Sequence, residues 1–234
     1  MTIPAPARHF ASPLHRSTGG SITAGKQAQQ QRLLDIVQTC GWLMRALSAA
    51  SRLNLPAGSW CIGAGAVRNL VWDRLHGRAD SPLPEDIDLV YFDSSDLSAD
   101  GEAALQRRLC DDEPELPWEV TNQARVHLWY EQVYGVCVAP FATLEEGIAS
   151  WPEYATAVSV AMDACRQLSV LAPHGLDDLF SLRVRHNPQR AGAAVFSERI
   201  QKKRFAQRWP LLQLMPAIES PHDDTTIAPA PKNP

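Results

Sequence analysis

A glycine-containing turn between two apolar segments constrains the fold of this chain more than any other feature. Residues 59–63 (SWCIG) form a short apolar run typical of a buried strand, and it leads directly into Gly63-Ala64-Gly65. Residues 66–76 then have the spacing of a helix, and residues 86–92 and 118–123 have the pattern of two further strands. Strands that alternate with helices in this order predict an α/β or α+β domain with a mixed sheet.

Two acidic side chains mark the second of these strands. Side chains two positions apart on a strand point to the same face, so Asp86 and Asp88 project together while Ile87 and Leu89 face the other side. Two carboxylates held side by side repel each other unless a cation lies between them. On the third strand, Glu119 stands between apolar neighbours and contributes a third acid if the two strands are adjacent.

A dinucleotide-binding loop is one alternative for the turn and the acids. Asp86 lies 21 residues after Gly65, near the spacing of the ribose-binding acid in that motif. The motif requires a third glycine where this chain has Arg68, and a bulky side chain there opposes close packing of the helix on the strand. A solvated acidic strand is a second alternative, because a lone Asp-x-Asp pair is a weak signal.

A site for phosphoryl chemistry accounts for more of the pattern. Magnesium prefers oxygen ligands, and two such ions held by three acids suit in-line attack on a phosphoryl group. Backbone N–H groups at the start of the helix over 66–76 point toward an anion, and Arg68 adds a charged fork for the same phosphates.

The order of these elements resembles a known superfamily. A strand, a glycine-containing turn, a helix, Asp-x-Asp on the next strand and a third acid are similar to the signature of the DNA polymerase β-like nucleotidyltransferases. Within it, GAVRN followed by DIDLV resembles the GGxVRD and DIDL motifs of the CCA-adding tRNA nucleotidyltransferases. A nearer similarity is to a bacterial family of nucleotidyltransferases with unassigned substrates, and it covers RNLVWDRLHG, DIDLVYFD, WEVTNQARVHLWY, SWPEYATAVSV and GLDDLF.

The resemblance implies a nucleotidyltransferase fold with an N-terminal helix and a helical C-terminal part. It also implies Mg²⁺-dependent transfer of a nucleoside monophosphate from an NTP to an unidentified acceptor hydroxyl, on RNA or on a small molecule. Two positions depart from the family pattern, because Ala64 replaces the first glycine of the usual pair and Asn69 replaces an acid. The alternative that they leave open is an inactive nucleotide- or RNA-binding module. The expected site residues are Asp86, Asp88 and Glu119 as catalytic metal ligands, Gly63, Gly65, Arg68 and Asn69 as nucleotide-binding residues, and Asn122, Arg125 and His127 as possible cleft residues.

The remaining segments define the expected domain. Residues 1–25 and 216–234 are rich in proline and small residues without periodicity, which predicts disordered tails around a nucleotidyltransferase-like domain at 26–215. Amphipathic spacing predicts an N-terminal helix over 27–52, and further helices are predicted over 176–185 and 197–208.

Charge and cysteine content bear on partners and location. Residues 183–208 carry eight basic residues and one acid, a net charge of +7, whereas the whole chain has a net charge of −4. This segment suits either a phosphate-rich partner or a solvated helix face. The five scattered cysteines form no C-x-x-C pair, and no apolar run approaches the roughly 20 residues that span a bilayer. We therefore expect reduced thiols, a cytoplasmic location and no membrane partner.

Overall fold

The computed structural model of the chain describes residues 19–219, with side chains from residue 24 onward. The helices are α1 (Gly19–Gln38), α2 (Gly41–Ser51), α3 (Ala64–Leu75), α4 (Ala99–Asp112), α5 (Val126–Tyr134), α6 (Leu144–Ala149), α7 (Asp177–Phe180), α8 (Ala193–Lys203) and α9 (Phe205–Arg208). The strands are β1 (Trp60–Gly63), β2 (Ile87–Tyr91), β3 (Trp118–Asn122), β4 (Ser159–Met162), β5 (Leu168–Leu171), β6 (Arg183–Val184) and β7 (Gln213–Leu214).

Five of the strands form one mixed sheet in the order β3-β2-β1-β4-β5. Strand β1 is antiparallel to both of its neighbours, and β2 is parallel to β3. The parallel pair requires a crossover, which α4 provides, and Ser98 caps this helix by accepting a hydrogen bond from the Gly101 amide at 3.2 Å. The predicted α/β architecture with a mixed sheet is therefore confirmed.

The two faces of the sheet have different environments. Ile87 and Leu89 of β2 and Trp118 of β3 belong to the main hydrophobic core, which helices α1, α2 and α3 complete. On the opposite face, Cys61 and Val90 belong to a second and smaller apolar cluster. Because alternate residues of a strand face opposite sides, the acids of β2 and β3 lie on the face with the smaller cluster and remain beside a cleft.

Several helix boundaries differ from those predicted by periodicity. The N-terminal helix is divided at Thr39 and Cys40 into α1 and α2, and it begins at Gly19, within the predicted tail of residues 1–25. The rest of that tail, residues 1–18, and residues 220–234 of the other predicted tail lie outside the described residues.

The C-terminal part is more segmented than the sequence suggested. The helix predicted over 176–185 ends at Phe180, because Leu182 has a φ of 54° and the next residues pair with β7. The helix predicted over 197–208 begins earlier, at Ala193, and is interrupted at Arg204, which has a φ of 53°. Across the described part of the chain, no helix is long and apolar enough to cross a membrane.

Candidate active site

The three predicted acids lie together on one face of the sheet. Asp86 immediately precedes β2, Asp88 lies within it, and Glu119 lies directly beside Asp88 in the parallel register of β2 and β3. Adjacent strands are about 4.8 Å apart, so the side chains of Asp88 and Glu119 start from neighbouring positions. All three line a cleft of about 320 Å³.

The cleft makes negative charge costly. Burial, together with the neighbouring carboxylates of Asp86 and Glu119, raises the pKa of Asp88 to about 7, against a smaller lowering by Arg199 and Lys203. Burial and Asp86 also raise the pKa of Glu119, while Lys203 opposes the shift. Such crowding indicates a functional site, because any cation that enters between the acids reduces the repulsion between their carboxylates.

The donor chemistry of the site fits a hard divalent cation. Carboxylate oxygens are the ligands that Mg²⁺ prefers, and the repulsion around Asp88 is the electrostatic condition that a cation relieves. Within residues 24–219, however, no group of three His, Cys, Asp or Glu side chains already converges on one point as a ligand set. The Nζ atom of Lys203 lies 3.6 Å from an Asp86 oxygen and supplies positive charge there. Holding an ion would therefore require these side chains to turn toward it.

The three residues of the glycine turn differ in their position relative to the cleft. Gly63 does not line the cleft. Its backbone is closely packed, because a Cβ atom there would lie 2.8 Å from the Val158 carbonyl oxygen and 2.9 Å from Trp151. Ala64 has a φ of 49° and donates its N–H to the same carbonyl at 3.1 Å. Gly65 lines the cleft, and a Cβ atom there would lie 3.5 Å from Asp86 Oδ1. Of the two predicted glycines, Gly65 is therefore at the cleft and Gly63 permits close packing against β4.

Arg68 does not have the free guanidinium that a phosphate fork requires. The residue is 1% exposed, its Nη1 donates to Thr156 Oγ1 at 2.7 Å, and its Nη2 donates to Asn69 Oδ1 at 2.9 Å. Its guanidinium also lies over the rings of Trp72 and Phe205, at 5.0 and 4.6 Å from their centroids. The side chains of Thr156, Asn69, Trp72 and Phe205 thus form a buried cage around the guanidinium. Arg68 borders the cleft from within this cage, and Asn69 is one of its hydrogen-bond acceptors.

A buried acid that the sequence did not single out completes this cage. Glu153 is fully buried, lies 3.8 Å from Arg68 Nη1 and accepts hydrogen bonds from Thr156 at 2.6 Å and from Arg199 at 2.6 Å. Burial lowers the pKa of Arg68 to about 10, and Glu153 opposes that shift. The only sequence signal for Glu153 was its place in the SWPEYATAVSV stretch, because the partners are distant along the chain.

The three possible cleft residues, Asn122, Arg125 and His127, do not line the cleft. Asn122 is fully buried and its side chain bonds to the backbone of Asp93 and Asp96. Arg125 pairs with Glu102, and neither Arg125 nor His127 lines the cleft. Asn122 ends β3 and, three residues after Glu119, faces the opposite side of the strand. Arg125 lies in a turn of 3₁₀ helix (Gln123–Arg125), which precedes α5 and shifts the phase of His127. The residues that face the cleft instead are Gln123, Val126, Trp129, Tyr130 and Tyr134.

Helix α8 brings two basic side chains to the acids. Arg199 and Lys203 both line the cleft, and they are four residues apart on one face of the helix. From the sequence, the basic segment of residues 183–208 was expected to form either a phosphate-binding face or a solvated helix face. Because α8 is far from β2 along the chain, no local pattern indicated which of its charges point toward the cleft.

The fold and the arrangement of acids beside a helix N-terminus are typical of enzymes that transfer a phosphoryl-linked group. A family model described as nucleotidyltransferase matches residues 48–214, which is more than half of the chain. The protein therefore belongs to this nucleotidyltransferase family and is an NTP-using transferase.

One solved structure has the same fold, and two others match less closely. A protein whose NMR structure reveals a CCA-adding enzyme head domain matches with a TM-score of 0.67 and 24% identity, over 80% of this chain and 96% of that one. A CCA-adding enzyme in complex with CTP matches with a TM-score of 0.48 and 15% identity, over 79% of this chain and 43% of that one. An apo tRNA-processing enzyme matches with a TM-score of 0.43 and 20% identity, over 74% of this chain and 43% of that one. No curated protein shows significant similarity to the chain.

Proposed function

We propose that the protein transfers a nucleoside monophosphate from an NTP to an acceptor hydroxyl in a Mg²⁺-dependent reaction that releases pyrophosphate. The observation that carries this proposal is the register of Asp88 beside Glu119, with Asp86 two residues before Asp88 on the same face. In the reaction, a bond forms between the acceptor oxygen and the α-phosphorus, and the bond from that phosphorus to the pyrophosphate oxygen breaks.

The acids have distinct parts in this proposal. Asp86 and Asp88 would hold the divalent cations, and Glu119 would complete the ligand set. Bound cations would offset the charge of the phosphates and lower the pKa of the acceptor hydroxyl. Glu119 would also accept the acceptor proton, which its raised pKa favours relative to an ordinary carboxylate.

The triphosphate has a complementary positive environment. Ala64 and Gly65, at the N-terminus of α3, line the cleft, so the helix N-terminus would favour the negative charge of the phosphates. Arg199 is held by Glu153, which leaves Lys203 as the more adjustable cation. A metal ion held by Asp86 would displace Lys203, and the ammonium group of Lys203 would then be free to contact the phosphates.

The test is a transfer assay with labelled NTPs and Mg²⁺, offered total RNA in one arm and a small-molecule extract in the other. Glu119→Gln keeps the shape of the side chain and removes its charge, so turnover should fall about a hundredfold while NTP affinity changes much less. Glu115→Gln is the matched control, since Glu115 is an exposed glutamate near the start of the same strand and outside the cleft. Its turnover should equal that of the wild type.

Three outcomes decide the proposal. Label transfer that depends on Glu119 supports it, and the arm that gives transfer identifies the acceptor class. Saturable NTP binding without transfer in either arm would instead identify an inactive nucleotide-binding module. Wild-type turnover by Glu119→Gln would contradict the role given to that carboxylate.

A further inference from the structure

The cleft extends beyond the acids, and its far end is lined by aromatic side chains and an arginine instead of carboxylates. On β2 and β3, Val90 and Thr121 are register partners and follow Asp88 and Glu119 by two residues. Residues two apart on a strand are separated by about 7 Å along it, so this pair forms the next section of the cleft floor. The far end therefore begins one such step from the carboxylates and lies toward α5.

Aromatic side chains form the wall of this far end. Trp129, Tyr130 and Tyr134 of α5 line it together with Phe141. The rings of Tyr130 and Tyr134 are 4.5 Å apart at their centroids, and those of Trp129 and Tyr130 are 6.1 Å apart. A continuous aromatic wall of this kind suits a flat ring that stacks or lies edge-on against it.

A single arginine supplies the charge at this end. The guanidinium of Arg190 lies 3.7 Å from the centroid of Phe141, and its Nη2 donates to the Ala139 carbonyl at 2.6 Å. Its Nη1 is buried without a hydrogen-bond partner among the described residues. None of the ion pairs within residues 24–219 includes Arg190.

This arginine differs from the other cations of the cleft. Arg68 and Arg199 share Glu153 as a counter-ion, and Lys203 lies beside Asp86. Burial lowers the pKa of Arg190, and Tyr130 and then Glu146 oppose this shift. The Glu146 carboxylate forms no ion pair with Arg190. A partly desolvated guanidinium with an unused donor gains more from an anionic ligand group than from a neutral one.

We propose that this far end, formed by Trp129, Tyr130, Tyr134, Phe141 and Arg190, is the acceptor subsite and binds a small planar anion. The flat ring of the acceptor lies against the aromatic wall, and its phosphate or carboxylate pairs with Arg190. Its hydroxyl then reaches back along β3 to Glu119. This assignment rests on the proposed function for the acceptor role, whereas the binding of planar anions does not depend on catalysis.

The donor NTP is a poorer occupant of this end. Its phosphates already have the α3 N-terminus and Lys203 near the acids, so no further anion of the donor remains for Arg190. Its base is a neutral ring and would leave the charge of Arg190 unpaired. The charge distribution therefore favours the acceptor.

Binding is measured by titration calorimetry on the full chain without divalent cations. The probes are a nucleoside 5′-monophosphate, an aromatic hydroxycarboxylate, ribose 5-phosphate, which lacks the flat ring, and adenosine, which lacks the anion. The nucleoside 5′-monophosphate and the aromatic hydroxycarboxylate are the two planar anions. At least one of them should bind, and more tightly than ribose 5-phosphate or adenosine. The better of the two planar anions distinguishes a phosphate from a carboxylate acceptor.

The decisive variant is Arg190→Met, which keeps an apolar stem and removes the charge. It should weaken planar-anion binding roughly ten- to a hundredfold, the effect of losing a charge-assisted hydrogen bond. Arg185→Met is the matched control, because Arg185 also lies over a tyrosine ring, that of Tyr154 at 4.8 Å, but is outside the cleft. If Arg190→Met does not fold, Trp129→Leu replaces it and should weaken both planar anions but not ribose 5-phosphate.

The same titrations on Asp88→Asn separate this inference from the proposed function. Planar-anion binding should persist there, even if transfer is abolished or never observed. The inference is overturned if neither planar anion binds, or if Arg190→Met or its replacement binds them like the wild type. It is also overturned if NTP affinity falls as much in Arg190→Met as in Lys203→Met, or if only RNA oligonucleotides bind.

Discussion

Replacing Asp88 by Asn should stabilise the protein when no divalent cation is present. The Asp88 carboxylate is crowded by Asp86 and Glu119 and partly removed from water, so its ionised form is disfavoured in the fold. Asparagine has nearly the same shape and no charge. The substitution therefore removes an electrostatic cost without leaving a cavity.

The size and the pH dependence of this effect follow from the pKa of Asp88. Its value of about 7 in the fold exceeds the ordinary 3.8, so the folded protein holds the proton more tightly than the unfolded chain does. The associated stability is fully present below about pH 3.8 and is lost as the pH rises through 7. Each pKa unit corresponds to about 1.4 kcal/mol, which gives an upper bound of about 4 kcal/mol at pH 8. Because the acids can relax toward solvent, we expect a gain of about 1–3 kcal/mol for Asp88→Asn at pH 8.

Thermal unfolding in a chelating buffer at pH 5 and pH 8 measures this gain. A gain of about 1–3 kcal/mol corresponds to roughly 2–12 °C in Tm for a chain of this size, and the gain should shrink at pH 5. Asp80→Asn is the control, since Asp80 is exposed and does not line the cleft, and its Tm should not change. A lower Tm for Asp88→Asn at pH 8 would mean that Asp88 is a structural residue, and the reasoning would be refuted.

Three further substitutions test other parts of the site. Ala64→Gly should raise the free energy of unfolding by about 0.5–1 kcal/mol, because a non-glycine residue at positive φ is strained; an unchanged Tm would show that the turn bears no strain. Glu153→Gln should lower the free energy of unfolding by about 3 kcal/mol or more, because it leaves Arg68 buried without a counter-charge. Denaturant titrations measure this loss, and a near-neutral effect would contradict it. Lys203→Met should tighten Mg²⁺ binding without nucleotide and weaken NTP binding, since its ammonium competes with the metal at Asp86; calorimetry that shows weaker Mg²⁺ binding would contradict this.

The sequence predicts those features of the site that depend on short-range periodicity. The alternation of β2 places Asp86 and Asp88 on one face, and the phase of β3 does the same for Glu119. Only the adjacency of the two strands needed the structure, and their parallel register confirms the assumption. Secondary-structure types were predicted well in this region because each strand is bounded by glycine or proline and contains alternating apolar residues.

Long-range contacts account for what the sequence did not predict. The environment of Arg68 depends on Glu153 and Phe205, which are distant along the chain, so its motif position suggested a phosphate contact rather than a buried cage. The phase of α5 depends on a single 3₁₀ turn, which moved His127 away from the cleft. Neither effect has a local sequence signature.

The buried cage gives the arginine of the GAVRN motif a role different from a phosphate ligand. Through Glu153, Arg68 on α3 is linked to Arg199 on α8, so the helix that follows the glycine turn and the helix that carries Lys203 are joined by one set of charges. A buried ion pair contributes little net stability but fixes the relative position of the elements that it joins, because any other arrangement leaves a charge unpaired. Lys203 lies one helical turn after Arg199, and its distance to Asp86 is therefore set by this cage. The motif arginine thus positions the basic helix over the acids, and the C-terminal segment becomes part of the candidate site rather than an appended nucleic-acid-binding surface.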